Sequence, residues 1–249
     1  MMESQRCAMT NKIIFHSAKT YNNKNGENGP VPAANSVPFW WKDADRYIKD
    51  PNGEPYINAS GVGKVLSYKS CPAMLDTFTS GYMLRTPCDL DFYIKRGRTK
   101  VRIPVGFEDI VGEREPMEGF QTPPGFDDRH FHWYLNWAPQ VPKGYSTLYV
   151  QPLNHFDLPY VTVAGIIDSD KVTNSGLLPF FLKTGFEGVV PAGTPIVQIF
   201  PFKREDWEME YKFYTPEEIF EQTRENSLKF RDPNGGVYKR DYWEKRKYK

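Results

Sequence analysis

The sequence predicts a mainly β protein with a β-sandwich or β-barrel core, a short helix near residues 72–80 and a helical carboxy-terminal end. Three observations lead to this fold class. The 21 Pro and 19 Gly residues divide the chain of 249 residues into short segments, which favours strands over long helices. Apolar and polar side chains alternate at 88–95 and 130–137 with the period of a half-buried strand. Aromatic residues, 15% of the chain, supply apolar surface for a core.

The amino-terminal third contains a predicted strand, an arm, a turn and a helix. Residues 12–16 are apolar enough for the strand, whereas the Asn-, Gly- and Pro-rich stretch 20–37 has little to bury and is expected to be a flexible arm. Residues 50–53 read Asp-Pro-Asn-Gly, which indicates a turn and a hairpin around residue 52. An N-cap Ser, an early Pro and a terminating Gly predict the helix at 72–80.

The middle of the chain is predicted to be a series of short strands. The clearest alternation places Phe131, Trp133, Leu135 and Trp137 on one face of a strand and His130, His132, Tyr134 and Asn136 on the other. Further strands, each bounded by Pro or Gly, are predicted at 99–104, 146–151, 160–167, 177–184 and 195–200. Residues 1–210 are therefore expected to form a single β-rich domain.

Residues 211–249 are expected to form a helical, basic extension. Thr215-Pro216-Glu217-Glu218 combines an N-cap, a proline at the first helical position and a capping-box Glu, which predicts a helix at 216–229. Residues 239–249 contain six basic and two acidic side chains among Tyr and Trp. Such a segment can bind nucleic acid, since Lys and Arg neutralise phosphates and aromatic rings stack on bases. A solvated amphipathic helix is the favoured interpretation.

The bulk composition excludes several classes of protein. With 32 basic and 31 acidic residues, the net charge of +1 gives no general affinity for polyanions. No apolar run reaches the roughly 18 residues of a membrane span, and residues 1–10 lack the apolar stretch of a signal peptide. We therefore expect a soluble, intracellular protein without a membrane partner. Cys7, Cys71 and Cys88 are widely spaced, so reduced thiols are expected.

Two histidines suggest a metal site. His130 and His132 are two residues apart on a predicted strand and project from the same face, where His155 can approach them, as in a mononuclear site of the cupin kind. Histidines at the surface or packed under a loop are the alternative and the favoured interpretation. Tyr134 and Asn136, on the same face, are candidates for hydrogen bonds to a polar ligand or a neighbouring subunit.

The segment Val161-Thr-Val-Ala-Gly-Ile-Ile-Asp-Ser-Asp170, followed by Gly188-Val-Val-Pro-Ala-Gly-Thr-Pro-Ile-Val-Gln-Ile-Phe200, resembles the core of the dUTPase and dCTP-deaminase superfamily. The resemblance covers about forty residues. It implies a β-clip core and a nucleotide pyrophosphohydrolase in which Asp168 acts as the base.

The same resemblance implies further site residues. Asp170 belongs to the catalytic pair, Gln198 and the backbone near Gly193 contact the substrate, and Lys143 lies in the nearest substitute for the phosphate-binding motif. Mg²⁺ bridges the phosphates in such an enzyme. The alternative is that Asp168 and Asp170 cap a turn between two strands.

A second likeness runs from Cys71 to the end of the chain. The ordered set Cys71-Pro72, Pro142-x-Gly144-Tyr145-Ser146, Gln151-Pro152-Leu153-Asn154, Gly165-Ile-Ile-Asp-Ser-Asp170, Ile199-Phe-Pro-Phe202 and Tyr242-Trp-Glu244 resembles uncharacterised proteins of large tailed phages and some bacteria. That family is a domain of unknown function, so the likeness implies a viral or virus-derived source and a β-rich fold, and it assigns no catalytic residues.

Together these observations favour a phage-encoded protein that acts by binding or assembly over an enzyme. The sequence has no P-loop and no Ser or Cys nucleophile motif, whereas glycine- and proline-rich arms and basic tails commonly reach a neighbouring subunit. We expect a homo-oligomer, or a partner in the virion or host, with no cofactor. The expected location is the cytoplasm of the infected cell, with the virion as an alternative. The nucleotide hydrolase and the cupin-like metal protein are the alternative functions.

Overall fold

The computed structural model describes residues 11–17, 28–57, 61, 63–107, 109–114, 120–173, 176–229 and 237–249. The α-helices of these residues are α1 (Phe39–Asp43), α2 (Pro72–Thr79) and α3 (Pro216–Lys229). Their strands are β1 (Ile14–His16), β2 (Val31–Pro32), β3 (Tyr82–Arg85), β4 (Leu90–Lys95), β5 (Arg98–Arg102), β6 (Val111–Glu113), β7 (Phe126–Tyr134), β8 (Ala138–Gln140), β9 (Tyr145–Val150), β10 (Tyr160–Thr162), β11 (Gly165–Ile167), β12 (Leu177–Lys183), β13 (Gly188–Val190) and β14 (Pro195–Lys203). The protein is mainly β with short helices, as the sequence predicts.

The strands form antiparallel sheets. Their orders are β10-β12-β7-β6, β11-β9-β14-β3-β2, β13-β4-β5 and β1-β8. Trp133 of β7 lies opposite Leu178 of β12 and Val111 of β6, so β7 is an internal strand of its sheet. Strands β5, β11 and β13 are edge strands, which leaves one side of each backbone without a partner in its sheet.

One apolar cluster joins the three larger sheets into a sandwich-like core. Trp133 is fully buried, stacks on Phe180 with ring centroids 3.8 Å apart, and donates from Nε1 to Thr162 Oγ1 at 3.1 Å. Leu90 and Phe92 of β4 and Val197 and Ile199 of β14 belong to the same cluster. The aromatic face predicted for the strand at 130–137 is therefore core.

The chain divides into two compact units, and each includes distant parts of the sequence. The β unit comprises Met1–Ala33 and Gly81–Arg204, and the helical unit comprises Ala34–Ser80 and Glu205–Lys249. The sequence-based division at residue 210 instead assigns 34–80 to the β domain. The described residues of the range 34–80 contain α1 and α2 and no strand of the sheets, and the contacts of this range group it with the helical end.

The helical unit has a small aromatic centre. Phe78 of α2 is 1% exposed, and its ring centroid lies 4.8 Å from that of Trp41 of α1. The turn predicted at 50–53 is present, since Asp50 Oδ1 accepts the backbone NH groups of Asn52 and Glu54, both at 2.9 Å. The predicted helices at 72–80 and 216–229 are confirmed as α2 and α3.

Two further sequence expectations differ from the structure. The predicted strand 160–167 is two strands, because β10 pairs with β12 whereas β11 pairs with β9 in another sheet. The predicted arm 20–37 is described only from residue 28, where β2 pairs with β3 and Ala33 is fully buried. Part of this Pro- and Asn-rich stretch is therefore ordered by pairing, although its own composition offers little to bury.

Cys71 and Cys88 are free thiols, and Cys7 lies outside the described residues. Burial, followed by the nearby charge of Asp89, raises the pKa of Cys88 to about 11, so this thiol is protonated and unreactive at neutral pH. In the part of the chain that the structure describes, no helix is long and apolar enough to cross a membrane.

Candidate functional site

The two aspartates predicted as catalytic lie in an ion-pair cluster directly after β11. Arg204 donates to both oxygens of Asp170, from Nη1 to Oδ1 at 2.9 Å and from Nη2 to Oδ2 at 2.5 Å. The backbone NH of Gly144 also donates to Asp170 Oδ2, at 2.8 Å, and the Asp170 side chain is only 4% exposed. These hydrogen bonds hold the pKa of Asp170 well below its usual range, and the bond from Arg204 has the largest effect.

Asp168 is the more open carboxylate of the cluster, with its side chain 43% exposed. Ser146 Oγ donates to Asp168 Oδ1 at 2.7 Å, and Lys171 Nζ lies 3.3 Å from Oδ2. The hydrogen bonds from Ser146 and then Lys171 lower the pKa of Asp168. A carboxylate with a lowered pKa is a weak base, and Arg204 also binds Asp168 and the carbonyl of Tyr145. The cluster ties the turn after β11 to β9 and to the end of β14.

The residues predicted to contact a nucleotide have roles within the fold. Gln198 is fully buried, and its Oε1 accepts the backbone NH of Leu153 at 3.0 Å. Gly193 adopts a φ of +83° in a turn, where its NH donates to Thr86 O at 2.8 Å. Lys143 is exposed and directly precedes Gly144, the residue whose backbone NH binds Asp170. The Gln198 side chain is therefore occupied by the protein itself.

The three histidines are buried rather than exposed, with His130 at 2%, His132 at 6% and His155 at 7% exposure. Among the described residues, no three His, Cys, Asp or Glu side chains are grouped so that they could hold a metal ion. The ring of His132 lies over Gly112 of β6 and contacts Tyr134 edge-on, with centroids 4.6 Å apart. The predicted histidine face of β7 is thus a second buried face, and the structure does not form a three-histidine centre from it.

Tyr134 and Asn136 line a crevice of only about 20 Å³ at the end of β7. Asn136 Nδ2 donates to the carbonyl of Asp109 at 2.9 Å. A space of this size holds about one water molecule, since one water requires roughly 10–15 Å³. These two predicted ligand-binding residues lie side by side, but the crevice between them is too small for an organic ligand.

The most unusual surface lies in a segment that the motif search missed. Trp207, Met209, Tyr211 and Phe213 are 87%, 79%, 70% and 89% exposed, respectively. The rings of Tyr211 and Phe213 stack with centroids 6.4 Å apart, so these alternate side chains lie on the same side of the segment. Asp206, Glu208, Glu210 and Lys212 occupy the intervening positions. We call residues 206–214 the aromatic segment.

The backbone of the aromatic segment is as open as its side chains. Residues 206–214 belong to no helix or strand and form no backbone–backbone hydrogen bond within the described part of the chain. Apolar residues at alternate positions with unpaired backbone groups are the features of a peptide that adds a strand to a sheet edge. The sequence signal for it was the alternation itself, from Asp206 to Phe213, which is as regular as that of β7.

Helix α3 continues this exposed region. Its start is the predicted capping box, in which the Thr215 NH donates to Glu218 Oε2 at 2.8 Å and the Glu218 NH donates to Thr215 Oγ1 at 3.2 Å. Every residue from 205 to 227 is exposed, including Ile219 at 51% and Phe220 at 65%. Local capping forms the helix, and the apolar side chains of Ile219 and Phe220 remain uncovered.

The basic end of the chain is partly used inside the helical unit. Trp243 Nε1 and Arg246 Nη1 both donate to Asp76 Oδ2 of α2, each at 3.0 Å. Arg240 pairs with its neighbour Asp241. Residues 239–249 are therefore attached to α2 through Asp76, which is compatible with the solvated interpretation and leaves nucleic-acid binding by this segment a prediction.

No protein-family model matches the chain, and no curated protein matches it significantly.

Proposed function

We propose that the protein is a phage-encoded assembly protein, in which the aromatic segment of one copy binds an exposed sheet edge of another copy. The observation that carries the proposal is the row of four large apolar side chains at 207–213, each at least 70% exposed. Exposed apolar patches of this kind mark protein interaction sites, because leaving them in water is unfavourable.

The chain also has edges that fit such a segment. Strand β11 is the edge of its sheet and exposes Ile166 at 63%, and strand β13 is the edge of another sheet and exposes Val189 at 53%. An edge strand offers free NH and carbonyl groups to an incoming strand, while alternate apolar side chains add contact area. The donor segment and the acceptor edges on one chain favour a homo-oligomer. The ordered motif likeness to tailed-phage proteins supports the source, with the infected cell or the virion as the place of action.

The test is the oligomeric state of the full-length protein. Light scattering coupled to size exclusion, over a range of concentrations, should show a concentration-dependent oligomer. Replacing Trp207 and Phe213 together by Ser should weaken the association at least about tenfold, since central aromatic residues dominate interface energetics.

The matched control replaces Glu221 and Arg224, an exposed ion pair of α3, by Ser. This variant should associate as the parent does. A parent protein that is monomeric at every concentration, or a double aromatic variant that associates as tightly as the parent, contradicts the proposal.

The two enzymatic alternatives remain predictions with separate tests. A dUTPase-like hydrolase requires pyrophosphate release from a deoxynucleoside triphosphate with Mg²⁺, lost in Asp168→Asn. A cupin-like protein requires stoichiometric metal bound through His130 and His132. The assembly proposal expects neither signal.

A further inference from the structure

A cavity of about 120 Å³ lies in the β unit between β5, β6 and β7. Four basic side chains line it, Arg98, Lys100, Arg114 and Arg129, together with Glu113 and His130. Arg98 and Glu113 are exposed, so the cavity reaches the surface, whereas His130 lies at its buried side. The volume far exceeds the roughly 10–15 Å³ that one water needs.

Among the described residues, the basic side chains around this cavity outnumber the acidic ones. Lys100 Nζ pairs with Glu113 Oε2 across the strands. Arg98, Arg114 and Arg129 form no ion pair with any carboxylate of the described residues. Asp127 is a further acidic side chain beside β5, where its Oδ2 accepts a hydrogen bond from Thr99 Oγ1 at 3.4 Å. Three guanidinium groups around one cavity repel each other, and an anion between them relieves this repulsion.

His130 supplies an independent observation. It is 2% exposed, and its Nε2 is buried without a hydrogen-bond partner among the described residues. Burial, followed by the charge of Arg114, lowers the pKa of His130, so the ring is neutral at neutral pH. A buried ring nitrogen without a partner is costly, and a neutral imidazole can donate one hydrogen bond. The ring of His130 packs against Phe120 and Phe181, and His130 also lines the cavity beside the arginines, so a buried residue whose ring nitrogen lacks a partner among the described residues belongs to the cavity wall.

We propose that this cavity binds a phosphate-type oxyanion, held by Arg98, Arg114 and Arg129 with His130 at its base. Guanidinium groups match phosphate oxygens with paired hydrogen bonds, which a compact lysine ammonium does not. The cavity is smaller than the roughly 300–1,000 Å³ of pockets that enclose whole small molecules. It accommodates the phosphate group, and the remainder of a phosphate monoester lies outside.

The proposal is tested by calorimetric titration of the full-length protein with inorganic phosphate at constant ionic strength, with sodium chloride as the comparison salt. Saturable binding of phosphate and none of chloride is expected. Arg114→Gln and Arg129→Gln should each weaken phosphate binding at least about tenfold, since each removes charge-assisted hydrogen bonds. Glycerol phosphate, as a second ligand, distinguishes a monoester site from a site for the free ion.

The matched control is Arg102→Gln, on the same strand β5, because Arg102 pairs with Asp91 and does not line the cavity. Its phosphate affinity should equal that of the parent. The side-chain NMR signal of His130 gives a readout that a change in folding alone does not produce, since a bound anion should raise the pKa of this ring.

Three results overturn the proposal: no saturable phosphate binding, equal losses in Arg102→Gln and Arg114→Gln, or a His130 signal that phosphate does not shift. A synthetic peptide of residues 204–215 is titrated in parallel. If this acidic peptide binds in an Arg114-dependent manner and phosphate does not, the cavity receives a carboxylate of a second copy instead.

Discussion

Strand β7 and the aromatic segment share one sequence pattern and have opposite surroundings. In β7, Phe131 and Trp133 alternate with polar residues and are at most 3% exposed. In the segment 206–214, Trp207 and Phe213 belong to an equally regular alternation and are more than 85% exposed. The side chains have the same period, but only β7 has strands on both sides and a second sheet against its apolar face.

This comparison shows what a period of two predicts. Alternation indicates that a segment is suited to a half-buried strand, but it does not indicate which chain supplies the neighbouring strand. For β7 the neighbours are β12 and β6 of the same chain. For the aromatic segment, which has the same requirement, we propose that a second copy supplies it.

The largest expected effect is on the free energy of unfolding of the monomer. Trp133→Ala removes a buried ring that stacks on Phe180, so it should cost about 3–5 kcal/mol or prevent folding. Trp207→Ala removes a ring 87% exposed and should change monomer stability by less than about 0.5 kcal/mol. Denaturant titration at a concentration below association compares the two. A cost for Trp207→Ala close to that of Trp133→Ala would show that the aromatic segment is part of the monomer core.

An intermediate effect on the free energy of unfolding is expected at Gly112 of β6, which lies under the His132 ring on the second buried face of β7. A Cβ at Gly112 would lie 2.3 Å from Cε1 and 2.4 Å from Nε2 of the buried His132 ring. Gly112→Ala should therefore destabilise the protein by about 1–3 kcal/mol, the usual cost of overpacking.

The control for Gly112 is Gly165→Ala in β11. A Cβ at Gly165 has no neighbour within 4 Å, and edge strand β11 has space around it. This change should alter the free energy of unfolding by less than about 0.5 kcal/mol. Equal effects at Gly112 and Gly165 would mean that His132 moves away freely and that the histidine face is not closely packed.

Strong local signals made much of the fold predictable from the sequence. Two kinds of signal depend only on residues close together in the chain: the alternation of β4 and β7, and the capping box of α3. Helix α3 therefore begins and ends at the residues that the sequence predicts. Strands β2, β6, β8 and β13 have only two or three residues and are too short to show a period. Strands β2, β6 and β13 form because the longer strands β3, β7 and β4 offer them hydrogen bonds, and β8 forms by pairing with the equally short β1, which are properties of the tertiary structure.

The site was harder to predict because its residues acquire their properties from distant partners. The sequence singled out His130 and His132 by their spacing but could not show that Phe120 and Phe181 lie beside the ring of His130. Asp168 and Asp170 were recognised from a motif, but Arg204, which binds both, is more than thirty residues away and belongs to no motif. The aromatic segment has a visible alternation, but only its exposure in the structure makes it the candidate for a binding surface.

The smallest expected effect is on the melting temperature and concerns Asp168 and Asp170, two neighbouring carboxylates that differ in exposure. Asp170 is enclosed by Arg204 and Gly144, whereas the Asp168 side chain is 43% exposed. Asp170→Asn should lower the melting temperature by several degrees at neutral pH, because the amide keeps the shape but loses the charge that binds the guanidinium. Asp168→Asn should lower it less.

The acid side of the stability profile distinguishes the two positions further. The folded state lowers the pKa of Asp170, so its contribution is fully present above the ordinary value of about 3.9 and is lost as the pH falls through the lower folded value. The difference in melting temperature between the parent and Asp170→Asn should therefore be constant from pH 7 to about pH 5 and should shrink below about pH 4. A difference that stays constant into strong acid would mean that Asp170 acts through its shape alone, and the Arg204 ion pair would then not be what fixes the turn after β11.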